Sequence, residues 1–210
     1  MKTLKHILEG IFDKGNKKLV GDDLEIEAIK EKLRNRENYC FDERDYENLD
    51  KFKFTKRGGK WTVDIDSWIT CYPKDGGDVT DGTFKFGRVN RFVVRNASSL
   101  KYAPKEVVGE VLIYDCPNLK DLKDCPNIVI GNFNVFDTGI TTLKYFPRII
   151  RGCVSVFSNK ELKTFKGLKQ TMIDGTVKVI DNGIPSKRQD FEEWSFDTHN
   201  LHNSFDEKYL

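Results

Sequence analysis

Apolar residues follow two different rhythms along the chain. At the start, Leu4, Ile7, Leu8, Ile11 and Phe12 recur at i, i+3, i+4, i+7 and i+8, the spacing of a helix with one apolar face. Gly15 interrupts that spacing, which predicts a helix over residues 2–14. Asp22, Asp23, Glu25 and Glu27 then precede or flank Ile26, Ile29 and Leu33. Acidic groups at that end complement a helix dipole and predict a second helix over 23–35. Residues 36–57 carry Tyr39, Phe41, Tyr46, Phe52 and Phe54 among charges with neither period; a linker and a short helix plus strand both fit. From Gly58-Gly59 onward the period drops to two. Trp61, Val63 and Ile65 alternate with Lys60, Thr62, Asp64 and Asp66, as in a strand with one buried face. Asp75-Gly76-Gly77-Asp78 and Asp81-Gly82 then read as loop, because these residues tolerate positive φ.

The strongest pattern is an internal repeat. Gly87, Gly109, Gly131 and Gly152 lie 22, 22 and 21 residues apart, and Pro104, Pro126 and Pro147 keep the same beat. A fourth unit begins at Gly175 and is cut short at Gly183. A period near 21 is too short for a helical hairpin and fits one coil of a solenoid with one strand per coil. Alternation points Val111/Ile113, Phe133/Val135, Val154/Val156 and Val177/Val179 inward, and Leu119/Leu122, Ile140/Leu143 and Leu162/Phe165 close each coil from its other side. The glycine is expected to permit a tight corner before the strand, and Asp115, Asp137, Asn159 and Asn182 to suit the turn after it. In the first coil, Phe92/Val94 compete with Val89/Arg91 as the inward pair.

The same alternation places Tyr114, Phe136, Phe157 and Ile180 on the outward face, a ladder of apolar groups that signals a covered or a binding surface. Three arrangements are open: the N-terminal helix or the aromatic tail (Phe191, Trp194, Phe196, Phe205, Tyr209) packs over it, a partner binds it, or the register is off and these groups lie in the core.

Composition narrows the class. With 38% hydrophobic and 32% charged residues and 15 Phe, 7 Tyr and 3 Trp, the 210-residue chain is too aromatic for disorder and long enough for one sizeable core. No stretch approaches a membrane span, so no membrane partner is expected. Thirty-five Lys plus Arg against 33 Asp plus Glu leave +2, which argues against a nucleic-acid partner. The charge is uneven, however: residues 51–101 hold 11 basic and 5 acidic side chains. Cys40, Cys71, Cys116, Cys125 and Cys153 cannot all pair, and the N-terminus has no secretory h-region, which predicts reduced, cytosolic thiols.

The repeat resembles that of the leucine-rich-repeat-like proteins of tailed phages and related mobile elements. The resemblance is carried by Ala103-Pro104-Lys105-Glu106-Val107, by Gly131-Asn132-Phe133, by Ile140-Thr141-Thr142-Leu143 and by a leading strand Gly59-Lys60-Trp61-Thr62-Val63-Asp64, and it covers about residues 58–183. It implies a mainly β, short leucine-rich-repeat-like β-solenoid over 58–183, with a helical N-terminal segment and linker over 1–57 and a C-terminal cap or tail over 184–210. It also implies a scaffold for recognition.

Catalytic chemistry is sparse. His199 and His202 have the spacing of two helical metal ligands but lack a third, and Asp75, Asp78 and Asp81 lack the alternation of a calcium loop. There is no phosphate cradle and no nucleophile elbow. No enzyme activity and no cofactor are therefore expected. The function expected is a non-catalytic protein-interaction module of phage type, acting on a host or phage protein in the host cytoplasm, with Tyr114, Phe136, Phe157 and Ile180 at the contact. The alternative is a minor virion component. Met1 to Gly10 resembles the short peptides that send internal proteins into tailed-phage heads, with Ile7 and Glu9 preceding a cut before Gly10.

Overall fold

A computed structural model describes residues 21–184 and the backbone of 194–196. The described elements are α1 (Asp22–Leu33), β1 (Tyr39–Cys40), α2 (Glu43–Glu47), β2 (Lys53–Arg57), β3 (Lys60–Cys71), β4 (Phe84–Arg95), β5 (Glu106–Val107), β6 (Val111–Cys116), β7 (Ile128–Val129), β8 (Phe133–Thr138), β9 (Ile149–Ile150), β10 (Val154–Phe157), β11 (Met172–Ile173), β12 (Val177–Ile180) and β13 (Trp194–Phe196). The fold is mainly β. Strands β3, β4, β6, β8, β10 and β12 are parallel neighbours, so the chain winds through five turns of a β-solenoid. A second parallel ladder, only two residues wide, runs from Arg88-Val89 of β4 through β5, β7, β9 and β11.

The core lies between these two ladders and the return segments, in vertical files. Ile69, Phe92, Val111, Phe133, Val154 and Val177 are paired in register along the main sheet and are fully buried. Cys71, Val94, Ile113, Val135, Val156 and Val179 form the next file. Leu100, Leu122, Leu143 and Phe165 line the return side, and Val89, Val107, Val129 and Ile150 the short ladder. Burying one such side chain is worth roughly 1.5–3 kcal/mol, so each turn extends one continuous apolar column. Phe92/Val94 are thus the inward pair of the first coil. The solenoid has one turn more than the glycine beat shows, because β3 continues past register shifts between Val63 and Trp68 and places Ile69 and Cys71 in the files.

Two assignments of turn residues need correction. Gly109, Gly131, Gly152 and Gly175 do stand at the corner before the strand, by close approach and without positive φ, but Gly87 does not. A Cβ on Gly109, Gly131, Gly152 or Gly175 would stand 2.5–2.7 Å from the carbonyl oxygen of Asn90, Gly109, Gly131 or Gly152 in the preceding coil. The backbones touch at this corner, and only glycine permits that approach. Asn90, not Gly87, is therefore the first corner residue; the N–H of Gly109 donates to its carbonyl at 2.6 Å. The left-handed residues at the strand ends are Asn96, Asp115, Asp137, Ser158 and Asp181, all with φ between 49° and 57°. Asn159 and Asn182 lie one residue further on and have a different role. The Asn159 side chain is fully buried; it accepts from the Thr138 hydroxyl at 2.6 Å and donates to the carbonyls of Val135 (3.1 Å) and Phe157 (2.9 Å). Asn182 repeats the stitch to Val156 at 2.8 Å.

The edges of the main sheet are paired. Residues 36–57 form α2 and short strands: β2 makes a hairpin with the first half of β3, and β1 pairs with its end. Phe41, Leu49 and Phe52 from this stretch join Ile29 and Leu33 of α1 in the core. At the other end β13 pairs antiparallel with β12. Short antiparallel strands thus cover the long edges of β3 and β12, and the exposed edges pass to these shorter strands.

Candidate interaction surface

In-register parallel pairing puts equivalent residues of successive coils one strand spacing apart, about 4.8 Å. Tyr114, Phe136, Phe157 and Ile180 are direct partners across β6, β8, β10 and β12. All four are half-buried, so the arrangement that would have placed them in the core is excluded. Their rings stack. Tyr114 and Phe136 have centroids 5.3 Å apart and planes 18° apart, and Phe136 and Phe157 are 4.3 Å and 10° apart. Stacking consumes the ring faces, so the surface presents ring edges, an apolar ridge rather than a flat platform.

The ridge continues toward β4 and β3 with residues the repeat did not reveal. Arg95 is the partner of Tyr114 across the strands. Its guanidinium carbon lies 5.6 Å from the ring centre, and Asp115 holds it through an ion pair of 2.8 Å. Tyr72 follows Cys71, whose partner is Val94, and so sits at the level of Arg95. Burial first, and then the Tyr114 phenol, raise its pKa. The glycine-rich loop after β3 masks this register in the sequence.

Beside the ridge run two further rows. Thr70, Val93, Leu112, Asn134, Ser155 and Lys178 are paired in register, buried at the β3–β4 end, where Thr70 is 7% and Val93 5% exposed, and polar from Asn134 toward β12. The outermost row is a polar chain. Arg91 pairs with Glu110 at 2.8 Å, Glu110 also accepts from Asn134 at 2.7 Å, and the Cys153 N–H donates to Asn132 at 2.8 Å. The Cys153 thiol in this row is held below its ordinary value by its hydrogen bond with the Thr176 hydroxyl.

Other candidates gather into nothing comparable. All five cysteines are free, and burial pushes the Cys116 thiol up to about 11. Among the described residues no group of His, Cys, Asp and Glu is placed to hold a metal ion. Asp81 is engaged by Lys32 and Thr83, and Asp78 faces Lys101 at 3.8 Å. No described helix is long and apolar enough to cross a membrane. His199, His202, the targeting residues Ile7, Glu9 and Gly10, the first helix and the tail side chains lie outside the described residues. No known protein family, curated protein or solved structure matches the chain.

Proposed function

We propose that the protein is a non-catalytic interaction module of the leucine-rich-repeat-like phage type, working in the host cytoplasm, and that it grips another protein through the outer face of its main sheet. Tyr114, Phe136, Phe157 and Ile180 form the contact ridge, with Arg95 and Tyr72 at its end. The observation that supports this reading is the unbroken row of half-buried rings on a rigid parallel sheet. Ring edges set in a fixed scaffold bury apolar area on contact without first losing side-chain freedom, as the aromatic anchors of protein interfaces do.

The test must separate binding from stacking, because removing a ring weakens both. Phe136→Tyr with Phe157→Tyr keeps the stack and adds a hydroxyl at each ring edge. Capture of a partner from expressing cells is expected to fall at least tenfold, while the melting temperature stays within about 2 °C. Unchanged capture of the same partner by this variant removes the ridge from the interface.

A further inference from the structure

The net charge of +2 averages over faces that differ sharply. Four of the five return segments, residues 98–105, 117–127, 139–148 and 160–171, hold ten Lys and Arg against three Asp and Glu, a net of +7, which leaves the rest of the chain at −5; the first, residues 72–83, holds Lys74 against Asp75, Asp78 and Asp81. The ten cations are arranged by the coil. Each of the four segments closes with the same turn, in which the N–H of Ala103, Cys125, Phe146 or Leu168 donates to the carbonyl of Leu100, Leu122, Leu143 or Phe165 at 3.0 Å. The residue after that carbonyl is a lysine every time: Lys101, Lys123, Lys144 and Lys166, all exposed. Neighbouring return segments are stacked, since Thr141 donates to Lys120 and Lys163 to Thr141, both at 3.0 Å, and Thr142 pairs with Thr164. The result is a file of lysines, one in each of these four coils.

Most of this charge is unopposed. Lys101 has Asp78 at 3.8 Å and Lys160 has Asp181. Among the described residues, Lys105, Lys123, Lys144, Arg148, Lys163 and Lys166 make no ion pair. Lys105, Lys144 and Arg148 also line an open cleft of about 420 Å³ at the edge of the file, against the single carboxylate of Asp124 and the amides of Asn127 and Gln170. Tyr145 stands at its rim, 41% exposed, with the Lys144 ammonium 5.2 Å from its ring centre.

We propose that this return face binds the phosphodiester backbone of a single-stranded nucleic acid. Cations recurring at a fixed interval match a ligand whose anions also recur at a fixed interval, and an acidic protein surface has no such regularity. Lysine stems are long and flexible enough to absorb the difference between the coil spacing and the phosphate spacing. The exposed Tyr145 ring supplies a face for a base, the usual companion of a basic track in sequence-tolerant single-strand binding. This face lies on the side of the coil away from the aromatic ridge, and the inference stands independently of the proposed protein partner.

The experiment is fluorescence anisotropy of a labelled 15-nucleotide oligothymidylate titrated with the full chain between 50 and 200 mM salt. Four neutralised phosphates predict a slope of about −3 in log K against log salt. Lys123→Glu with Lys144→Glu and Lys166→Glu is expected to weaken binding at least tenfold at 50 mM salt and to flatten the slope. Tyr145→Ala should weaken it severalfold, whereas Phe136→Tyr with Phe157→Tyr on the opposite side leaves it unchanged. The three lysines are exposed, and a melting curve confirms that the variant is folded. Absence of binding by the wild-type chain, equal binding by the triple variant, or displacement of the oligonucleotide by an equal charge of polyglutamate would overturn the proposal, the last in favour of an acidic protein.

Discussion

The corner glycines are the residues whose substitution separates two physical roles of glycine most cleanly. Gly131 has no positive φ, yet its added Cβ would meet the carbonyl carbon and oxygen of Gly109 at 2.6 Å. Both are backbone atoms, so nothing swings aside, and the coils must separate locally. Gly131→Ala is expected to cost about 1–3 kcal/mol, the range for forcing atoms into a packed contact, read as a lower urea midpoint. Gly77→Ala is the matched control: its φ is −83° and its nearest neighbour lies at 3.7 Å, so a change within about 0.5 kcal/mol is expected. Equal losses at both sites would show that chain flexibility, not backbone approach, explains the repeat glycines. Gly87 shows how the beat misleads. It keeps the spacing of the others, but it makes room for the Asp64 carboxylate, which accepts from the Arg88 N–H at 2.8 Å.

Among the elements, the repeat strands were legible and the cap was not. Period-two alternation and a constant interval specify β6, β8, β10 and β12 because each strand buries one face against identical neighbours. The helix over 23–35 was legible from its acidic start and appears as Asp22–Leu33. β1 and β2 have no such signature: a strand that pairs along only a few residues at the edge of a sheet needs no long alternation. The ridge residues were legible where the repeat is regular, and Arg95 and Tyr72 were lost where the first coils shift register. How α1 is fastened leads to a pH prediction. Hydrogen bonds from the Lys56 ammonium and then the Trp61 indole hold the Glu25 carboxyl below its ordinary 4.5, and a hydrogen bond from Lys30 holds Asp50 below 3.8. Both folded values are depressed, so the stabilisation is complete above about pH 5 and is lost as the pH falls through the folded values. Hydrogen exchange at pH 3 is expected to show α1 amides opening while those of β6, β8 and β10 stay protected. Simultaneous opening of both sets would mean that α1 and the coils unfold as one unit.

At the scale of the molecule, one winding chain exposes faces of different chemistry: an aromatic ridge with a polar chain beside it, and a basic return face. Net charge and total hydrophobicity average these away, which is why composition argued for no particular partner. The interfaces between coils, in contrast, are nearly identical. Gly131 rests on Gly109 through a hydrogen bond of 3.1 Å, and Val111, Phe133 and Val154 repeat the same seat beneath the next strand. Excising residues 131–151 would join Ile130 to Gly152 and lower Gly152 onto Gly109, with the strand pairing at both ends of the main sheet untouched. The shortened chain is expected to fold with a reduced melting temperature and an unchanged far-ultraviolet dichroism per residue; a molten product would refute the equivalence of the coils. A protein constructed this way can lengthen or contract in whole rungs, so its reach is adjustable without redesigning either end.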